Sequence, residues 1–170
     1  MSPRVPHPRR GVWRWLARAP LLLYRLGLGG LLGSRFVRLT HYGRKSGRRY
    51  HTVVEVAHRD PDTGTVFVVA GFGPRSDWYR NLQVRPETDL TLGRRTYPVR
   101  ARFLSPDEGA AVLRTYIRQH PVAARNLGRM LLGRPLTPDD LDAATLRAFA
   151  AAHPVVAFEP RPGNGLRARP

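Results

Sequence analysis

The chain has 170 residues, no cysteine and a formal net charge of +17, with 29 basic residues against 12 acidic ones. This length favours one domain with a sizeable core, and the lack of cysteine excludes disulfides, thiolate metal sites and a cysteine nucleophile. Residues 1–33 carry six arginines, residues 161–170 carry three, and neither tail has an acidic residue. Such a basic chain suggests an anionic partner, either nucleic acid, a membrane surface or a small molecule, although basic tails also serve solubility alone.

Residues 1–33 form a basic amphipathic N-terminal segment. Within its apolar part, residues 12–32, Arg14, Arg18 and Arg25 interrupt the sequence, and no apolar stretch reaches the ~20 residues that a spanning helix needs. No cleavage pattern of a signal peptide follows. We favour a helix that packs its leucines on the domain, and the alternative is a helix that lies on an anionic membrane surface. We therefore expect a cytoplasmic protein, either free or peripheral on the inner face of the cell membrane.

The segments after the N-terminal part predict an antiparallel meander. Residues 36–40, 50–58 and 65–71 are rich in β-branched and aromatic side chains and predict three strands. The sequence RDPDTG at 59–64 has the Pro, Asp and Gly content of a turn. The first two strands are joined by the basic stretch HYGRKSGRR at 41–49.

A short helix and a hairpin follow. Ser76 is placed as the N-cap of a helix over 77–84, because serine and an early aspartate favour a helix start. The sequence GRR at 93–95 predicts the turn of a hairpin between two further strands. Since proline cannot donate a backbone hydrogen bond, Pro98 predicts a sheet edge or a bulge.

From residue 105 the pattern becomes helical. SPDE at 105–108 is a capping box that predicts a helix to about His120. A second helix is expected over 122–132, and TPDD at 137–140 repeats the start signal for a third helix to about Ala152.

The chain closes with a strand over 154–160, and residues 161–170 are expected to form a disordered basic tail. Strands without βαβ alternation disfavour a doubly wound sheet, so we predict a small antiparallel barrel with attached helices. The domain is placed at 34–160, with a helical insertion at about 105–152.

The basic turn is the main candidate for an anion site. Gly43 and Gly47 bracket Arg44, the only lysine of the chain, Lys45, and the hydroxyl of Ser46. Backbone N–H groups beside glycines can form a concavity that binds anions, and the two cations add full charges. The spacing is not that of a Walker loop. A solvated basic hairpin turn explains the same residues equally well.

No catalytic apparatus stands out elsewhere. The histidines lack metal-binding spacing, and no nucleophile elbow occurs, so no metal ligand is assigned. Trp78 and Tyr79 at a helix start could wall a flat ligand, although core packing explains Trp78 better. His41 and His51 flank the basic turn and could face that ligand. Such a site makes chemical sense if a bound cofactor performs the chemistry.

The turn T-x-x-G-R-K-S-G at 40–47, together with W-Y-x-N-L at 78–82, resembles the deazaflavin-dependent nitroreductase family. The resemblance covers residues 35–108 and, more weakly, 154–160. It implies an α+β, mainly β, split β-barrel of the FMN-binding type that binds the deazaflavin coenzyme F420, with FMN as the alternative cofactor. The tail of this coenzyme carries a phosphate and several glutamate carboxylates, which Arg44, Lys45 and Ser46 would bind.

The resemblance also implies the remaining site residues. The strand at 50–54 would lie along the deazaflavin ring, and segments 69–72 and 78–81 would make the other contacts. The implied cofactor-binding residues are Arg44, Lys45, Ser46, Tyr50, His51, Thr52, Val53, Val54, Val69, Ala70, Gly71, Phe72, Trp78, Tyr79, Arg80 and Asn81. Tyr79 and His51 are the candidate catalytic residues.

The function that follows is an oxidoreductase that transfers a hydride from the reduced deazaflavin to a small electrophile such as a quinone or a nitroaromatic. The alternatives are an FMN-binding reductase of the same fold, or a basic nucleic-acid-binding or membrane-surface protein without catalysis. Nucleic acid is not expected, because the basic residues are divided between the ends and one turn. The residues indicate no oligomer interface.

Overall fold

A computed structural model describes residues 35–161 of the chain. The helices α1 to α4 and strands β1 to β6 are, in chain order, β1 Phe36–Tyr42, β2 Arg49–Arg59, β3 Val66–Val69, α1 Asp77–Val84, β4 Glu87–Leu92, β5 Arg95–Phe103, α2 Pro106–Gln119, α3 Pro121–Leu132, α4 Ala143–Ala152 and β6 Val155–Pro160. Every predicted strand and helix of the described part is present.

The six strands close into an antiparallel barrel in the order β1-β2-β3-β6-β5-β4, with β4 also pairing with β1. The barrel confirms the predicted split β-barrel. Its strands are rich in Val, Thr and aromatic residues, which suit a pleated surface that is buried on one side. Closure removes the unpaired edges that an open sheet of this size would expose.

Strand β2 is long because it serves two neighbours. Residues 49–55 pair with β1, and Val56 to Arg59 pair with β3 after a register shift between Val56 and His58. The extra residue, Ala57, bends the strand, as expected of a bulge. The bend carries Ala57 into contact with the helical part of the molecule, where it is buried.

Pro98 was expected at a sheet edge or a bulge, and it lies at a local edge of the closed barrel, where β6 has ended beside β5. Pro98 pairs with Asp89 of β4 inside a regular ladder of a closed barrel. Its carbonyl accepts a hydrogen bond from Arg161 N at 3.1 Å, beyond the last residue of β6. A residue's N–H and C=O point to the same side of a strand. The missing N–H of Pro98 therefore faces the side where β6 has ended, and no ladder hydrogen bond is lost.

The molecule has two hydrophobic cores. The first fills the barrel, where Leu39, Val68 and Phe158 are fully buried and Trp78 and Leu82 of α1 close one end. The second lies between α2, α3, α4 and the outer surface of the barrel. Its largest buried members are Leu113, Tyr116, Ile117, Leu136, Leu146 and Phe149.

The helix starts were predicted with mixed success. Ser105 accepts a hydrogen bond from Glu108 N, and the Glu108 carboxylate accepts one from Ser105 N, so the capping box of α2 is confirmed. The third helix does not begin at TPDD. Residues 138–140 form only a 3-10 turn, and α4 begins at Ala143 under the cap of Asp142. The Asp142 side chain accepts from Thr145 N, so the helix begins at the later of the two start signals.

The predicted N-terminal helix and the basic tail lie outside the described residues. Between residues 35 and 161, no helix combines the length and apolarity required to cross a bilayer.

Candidate functional site

Most of the predicted site residues line one elongated cleft built from two adjoining cavities of about 280 and 670 Å³. The smaller cavity lies against the basic turn between β1 and β2. The larger cavity follows β2 toward the helical part of the molecule. His41, Tyr50 and Asp77 line both cavities and mark the junction.

The turn at 43–48 is held tightly by its own backbone. Gly43 N donates to Arg48 O at 2.8 Å, and Gly47 N donates to Gly43 O at 2.7 Å. Gly47 has a φ of 64°, a region that favours glycine. A Cβ on Gly43 would lie 2.5 Å from Ser46 Oγ and 3.0 Å from the Tyr50 ring. The two glycines are therefore required by the shape of the turn.

Arg44 ties the turn to helix α1. Its Nη1 donates to Asp77 Oδ1 and to Asn81 Oδ1, each at 3.0 Å, and its backbone N donates to Asn81 Oδ1 at 3.1 Å. The charge of Arg44 is thus largely matched by the carboxylate of Asp77. Arg44 fixes the geometry of the smaller cavity more than it supplies free charge to it.

Lys45 is different from its neighbour. It lines the smaller cavity and is exposed, and it makes no ion pair or hydrogen bond within residues 35–161. Ser46 Oγ accepts from Arg48 N at 3.3 Å, which leaves its proton available to a ligand. The free ammonium, the hydroxyl and the exposed backbone of the turn together make the electropositive end of the cleft.

His41 is a buried, neutral donor at the junction. Because Asn81 Oδ1 accepts from Arg44, Asn81 Nδ2 donates to His41 Nδ1 at 2.9 Å. Burial first, and then His51, lower the pKa of His41 to about 4, against a smaller opposing effect of Asp77. The ring proton therefore sits on Nε2. The imidazole stacks on Tyr50, with ring centroids 5.7 Å apart.

The walls of the larger cavity suit a flat apolar ring. Strand β2 forms one side, and Phe72 and Trp78 contribute aromatic surface at the other. Tyr50 and Phe72 are large side chains with exposed fractions of 45% and 59%. Ligand pockets are lined predominantly by hydrophobic and aromatic side chains. Among residues 35–161, the lining of this cavity includes no arginine or lysine.

A polar group lies at the far end of the larger cavity. Tyr116 of α2 donates from its hydroxyl to Glu55 Oε1 at 3.1 Å, and Arg35 Nη2 donates to the same oxygen at 2.9 Å. Burial, with the Glu55 carboxylate as the second cause, raises the pKa of Tyr116 well above its ordinary value. Tyr116 is therefore a neutral hydroxyl that holds the carboxylate in place.

Most of the predicted cofactor residues line the cleft. Those on the smaller cavity are Arg44, Lys45, Ser46, Tyr50 and Asn81. Those on the larger cavity are Tyr50, His51, Thr52, Val53, Val54, Val69, Gly71, Phe72 and Trp78.

Three predicted residues line neither cavity. Ala70 is fully buried, and its N–H donates to Pro154 O at 2.8 Å. Tyr79 lies in the barrel core with its ring edge-on to Phe103, and the exposed Arg80 is the third. Tyr79 therefore does not face the cleft. His51, the other catalytic candidate, lines the larger cavity and contacts Thr40 Oγ1 through Nδ1 at 3.2 Å.

Several lining residues were not predicted. The spacing of Leu113, Tyr116 and Ile117 marks the buried face of α2, so the burial of Tyr116 was accessible from the sequence. Its pairing with Glu55 across 61 positions was not. The other unpredicted lining residues are Phe36, Glu55, Ala57, Ser76, Asp77 and Leu127.

Comparison with known proteins shows the family of the chain. The model of the family described as F420H(2)-dependent quinone reductase matches residues 24–132. A curated protein of Mycobacterium tuberculosis strain H37Rv, Rv3178, named as an F420H(2)-dependent quinone reductase, is 37% identical over 89 residues. That match covers 51% of this chain and 72% of the relative.

Solved structures agree on the fold. Atu2129 of Agrobacterium tumefaciens, a protein of unknown function, is 21% identical with a TM-score of 0.52 over 94% of this chain and 59% of that chain. The conserved hypothetical protein Rv2991 of M. tuberculosis is 15% identical with a TM-score of 0.50 over 81% and 79% of the two chains. At these identities the likeness concerns the fold alone.

Proposed function

Because the chain belongs to the F420H(2)-dependent quinone reductase family, it is an F420-dependent oxidoreductase, and we propose that it transfers a hydride to a quinone. A nitroaromatic is the second acceptor class to which the resemblance points. Membership of the F420H(2)-dependent quinone reductase family identifies coenzyme F420 as the cofactor, in preference to FMN.

The observation that carries the proposal is the division of one cleft into a cationic end and an apolar end. The coenzyme has an anionic tail and a flat ring, so it needs both environments side by side. Lys45 and Ser46 supply the first, and the wall of β2 with Phe72 and Trp78 supplies the second. The residues present therefore fit this cofactor.

The side chains of the chain bind and orient the two reactants. Lys45 would contact the anionic tail by a charge-assisted hydrogen bond. Tyr50, Phe72 and Trp78 would bury the ring and exclude water, which brings the reacting atoms close without solvent between them. The reduced cofactor supplies a hydride, and a quinone that also takes up one proton becomes a hydroquinone. The neutral His41 offers an N–H donor at the junction of the cavities.

Two measurements test the proposal. Purified protein is titrated with oxidised F420 and, separately, with FMN, and binding is followed by fluorescence. We expect micromolar or tighter binding of F420 and much weaker binding of FMN. Reduced F420 is then mixed with a naphthoquinone, and its oxidation is followed by absorbance. Tight F420 binding without quinone reduction would restrict the proposal to the cofactor.

We also keep the membrane contact of residues 12–32 as a proposal, motivated by their arginine and tryptophan content. Co-sedimentation with anionic vesicles compares the full chain with a chain that begins at Ser34. Membrane contact through this segment predicts loss of binding in the shorter chain. Equal sedimentation of the two chains would exclude an N-terminal anchor.

A further inference from the structure

Glu55 places a negative charge where the larger cavity meets the helices. Among residues 35–161, the lining of this cavity contains two carboxylates, Glu55 and Asp77, two histidines, His41 and His51, and no arginine or lysine. Asp77 is matched by Arg44 at 3.0 Å, at the end near the basic turn. Strand β2 rises about 3.3 Å per residue, so Glu55 lies roughly 16 Å from Tyr50 along the strand. The two ends of the cleft therefore carry charge of opposite sign.

One oxygen of Glu55 is held, and the other is open. Oε1 accepts from both Tyr116 and Arg35. Within residues 35–161, Oε2 has no hydrogen-bond partner. The one fully buried side-chain atom of that range without a partner is Arg38 Nε, so Oε2 is not fully buried. The carboxylate is thus fixed through Oε1, while Oε2 is not fully buried and belongs to a side chain that lines the larger cavity.

Arg35 compensates this charge only partly. The Arg35–Glu55 ion pair is 2.9 Å long, but the Arg35 side chain is 57% exposed, against 31% for Glu55. Solvent screens an exposed guanidinium more than a carboxylate that lines a cleft. An acceptor in the cavity meets Glu55 from the inside, whereas Arg35 lies toward solvent.

We propose that Glu55 selects the acceptor by charge: the site takes neutral or cationic apolar quinones and rejects quinones that carry an anionic group. This inference rests on the proposed function, because it assigns the larger cavity to the acceptor beside the cofactor ring. The apolar lining favours an aromatic acceptor, and a sulfonate or carboxylate on it would meet the Glu55 carboxylate, whose charge the solvent-exposed Arg35 offsets only partly. Selection by a repulsive group is a common route to specificity.

The test uses two acceptors that share one ring, a methylnaphthoquinone and its sulfonate. Their dissociation constants are measured by calorimetry in the complex with oxidised F420, and their kcat/KM values are measured with reduced F420. We expect the wild-type protein to prefer the neutral quinone by at least ~10-fold, which is about 1.4 kcal/mol. Glu55→Gln should abolish most of that preference by raising the affinity and the kcat/KM for the sulfonate. The amide that replaces the carboxylate can still accept from Tyr116.

Two further variants make the result specific. Arg35→Gln removes the partial compensation and should increase the preference for the neutral quinone. Glu87→Gln is the matched control, because Glu87 also pairs with an arginine, Arg100 at 2.8 Å, and lies outside both cavities. The control should keep the wild-type ratio.

The outcomes separate this inference from the proposed function. An unchanged ratio in Glu55→Gln, or equal affinity of the wild type for both quinones, overturns the charge selection while quinone reduction can stand. A shifted binding ratio without any turnover supports the selection and contradicts the proposed reaction. If the wild type binds neither quinone, the assignment of the cavity to the acceptor is wrong as well.

Discussion

The two ends of the cleft are built in opposite ways. At the basic turn, backbone hydrogen bonds and Arg44 fix the geometry, and Lys45 is exposed and makes no ion pair or hydrogen bond with the described part of the chain. At the helical end, the charged group is a carboxylate that Tyr116 and Arg35 already hold. One end offers a free charge on a rigid frame, and the other offers a restrained charge inside an apolar wall.

The difference indicates which reactant each end can recognise. A free ammonium on a rigid turn gains most from an anion that arrives with its own negative charge, such as the cofactor tail. A restrained carboxylate in an apolar cavity contributes mainly by what it excludes. We therefore expect substitutions at the turn to change cofactor affinity, and substitutions at the far end to change the choice of acceptor.

The largest effect is expected for Lys45→Ala. Loss of one hydrogen bond to a charged group costs about 1.5–3 kcal/mol, so the dissociation constant for F420 should rise roughly 10- to 100-fold. The matched control is Arg94→Ala, which removes an exposed cation from the other Gly-Arg turn, between β4 and β5. Fluorescence titration of both variants measures the contrast. Equal affinity in the two variants would remove Lys45 from the tail site.

The second effect concerns the frame of the turn. Asn81 is buried and joins Arg44 to His41 through three hydrogen bonds. Asn81→Ala leaves buried polar groups without partners, so we expect a loss of about 2–3 kcal/mol in unfolding free energy. Urea denaturation compares it with Asn126→Ala, which removes an exposed asparagine of α3 that accepts from Arg129 at 3.3 Å. The control should stay within about 0.5 kcal/mol of the wild type. A loss within about 0.5 kcal/mol in Asn81→Ala would mean that the turn does not depend on Asn81 for its stability.

The barrel was predictable because its signals are local. Alternating β-branched residues and glycine-rich turns locate the strands, and the capping box locates the start of α2. One expectation failed because a rival signal is near. The third helix begins under Asp142, two positions after the last residue of TPDD.

The site was predictable at the turn and less so at the far end. Gly43 to Ser46 are contiguous and carry their chemistry in one motif. Glu55 and Tyr116, which are 61 positions apart, meet only where β2 packs against α2 in the folded chain. Tyr79 is the converse case. It belongs to the W-Y-x-N-L motif, but its side chain lies in the barrel core.

The third effect tests the neutral histidine between the two ends. Its pKa in the folded protein, about 4, lies below the ordinary 6.5. The unfolded chain therefore binds more protons between these values, and folding stability falls as the pH drops from 6.5 toward 4. His41→Gln should make this decline shallower, although His51 and His153, whose pKa values burial also lowers, keep part of it. Urea denaturation at pH 6.5, 5.5 and 4.5 gives the slopes. Parallel curves for the variant and the wild type would mean that His41 does not contribute.

The smallest effect is expected for Tyr116→Phe, at the far end. The ring stays in the core beside Leu113 and Ile117, and only the hydroxyl that donates to Glu55 is lost, so unfolding free energy should fall by about 1 kcal/mol. Because Arg35 still holds Oε1, the carboxylate loosens without losing its charge, and the affinity for F420 should change far less than in Lys45→Ala. Urea denaturation and fluorescence titration measure the two quantities on one preparation. A loss of F420 affinity as large as that of Lys45→Ala would mean that the cofactor reaches the helical end, and that the two ends do not serve different reactants.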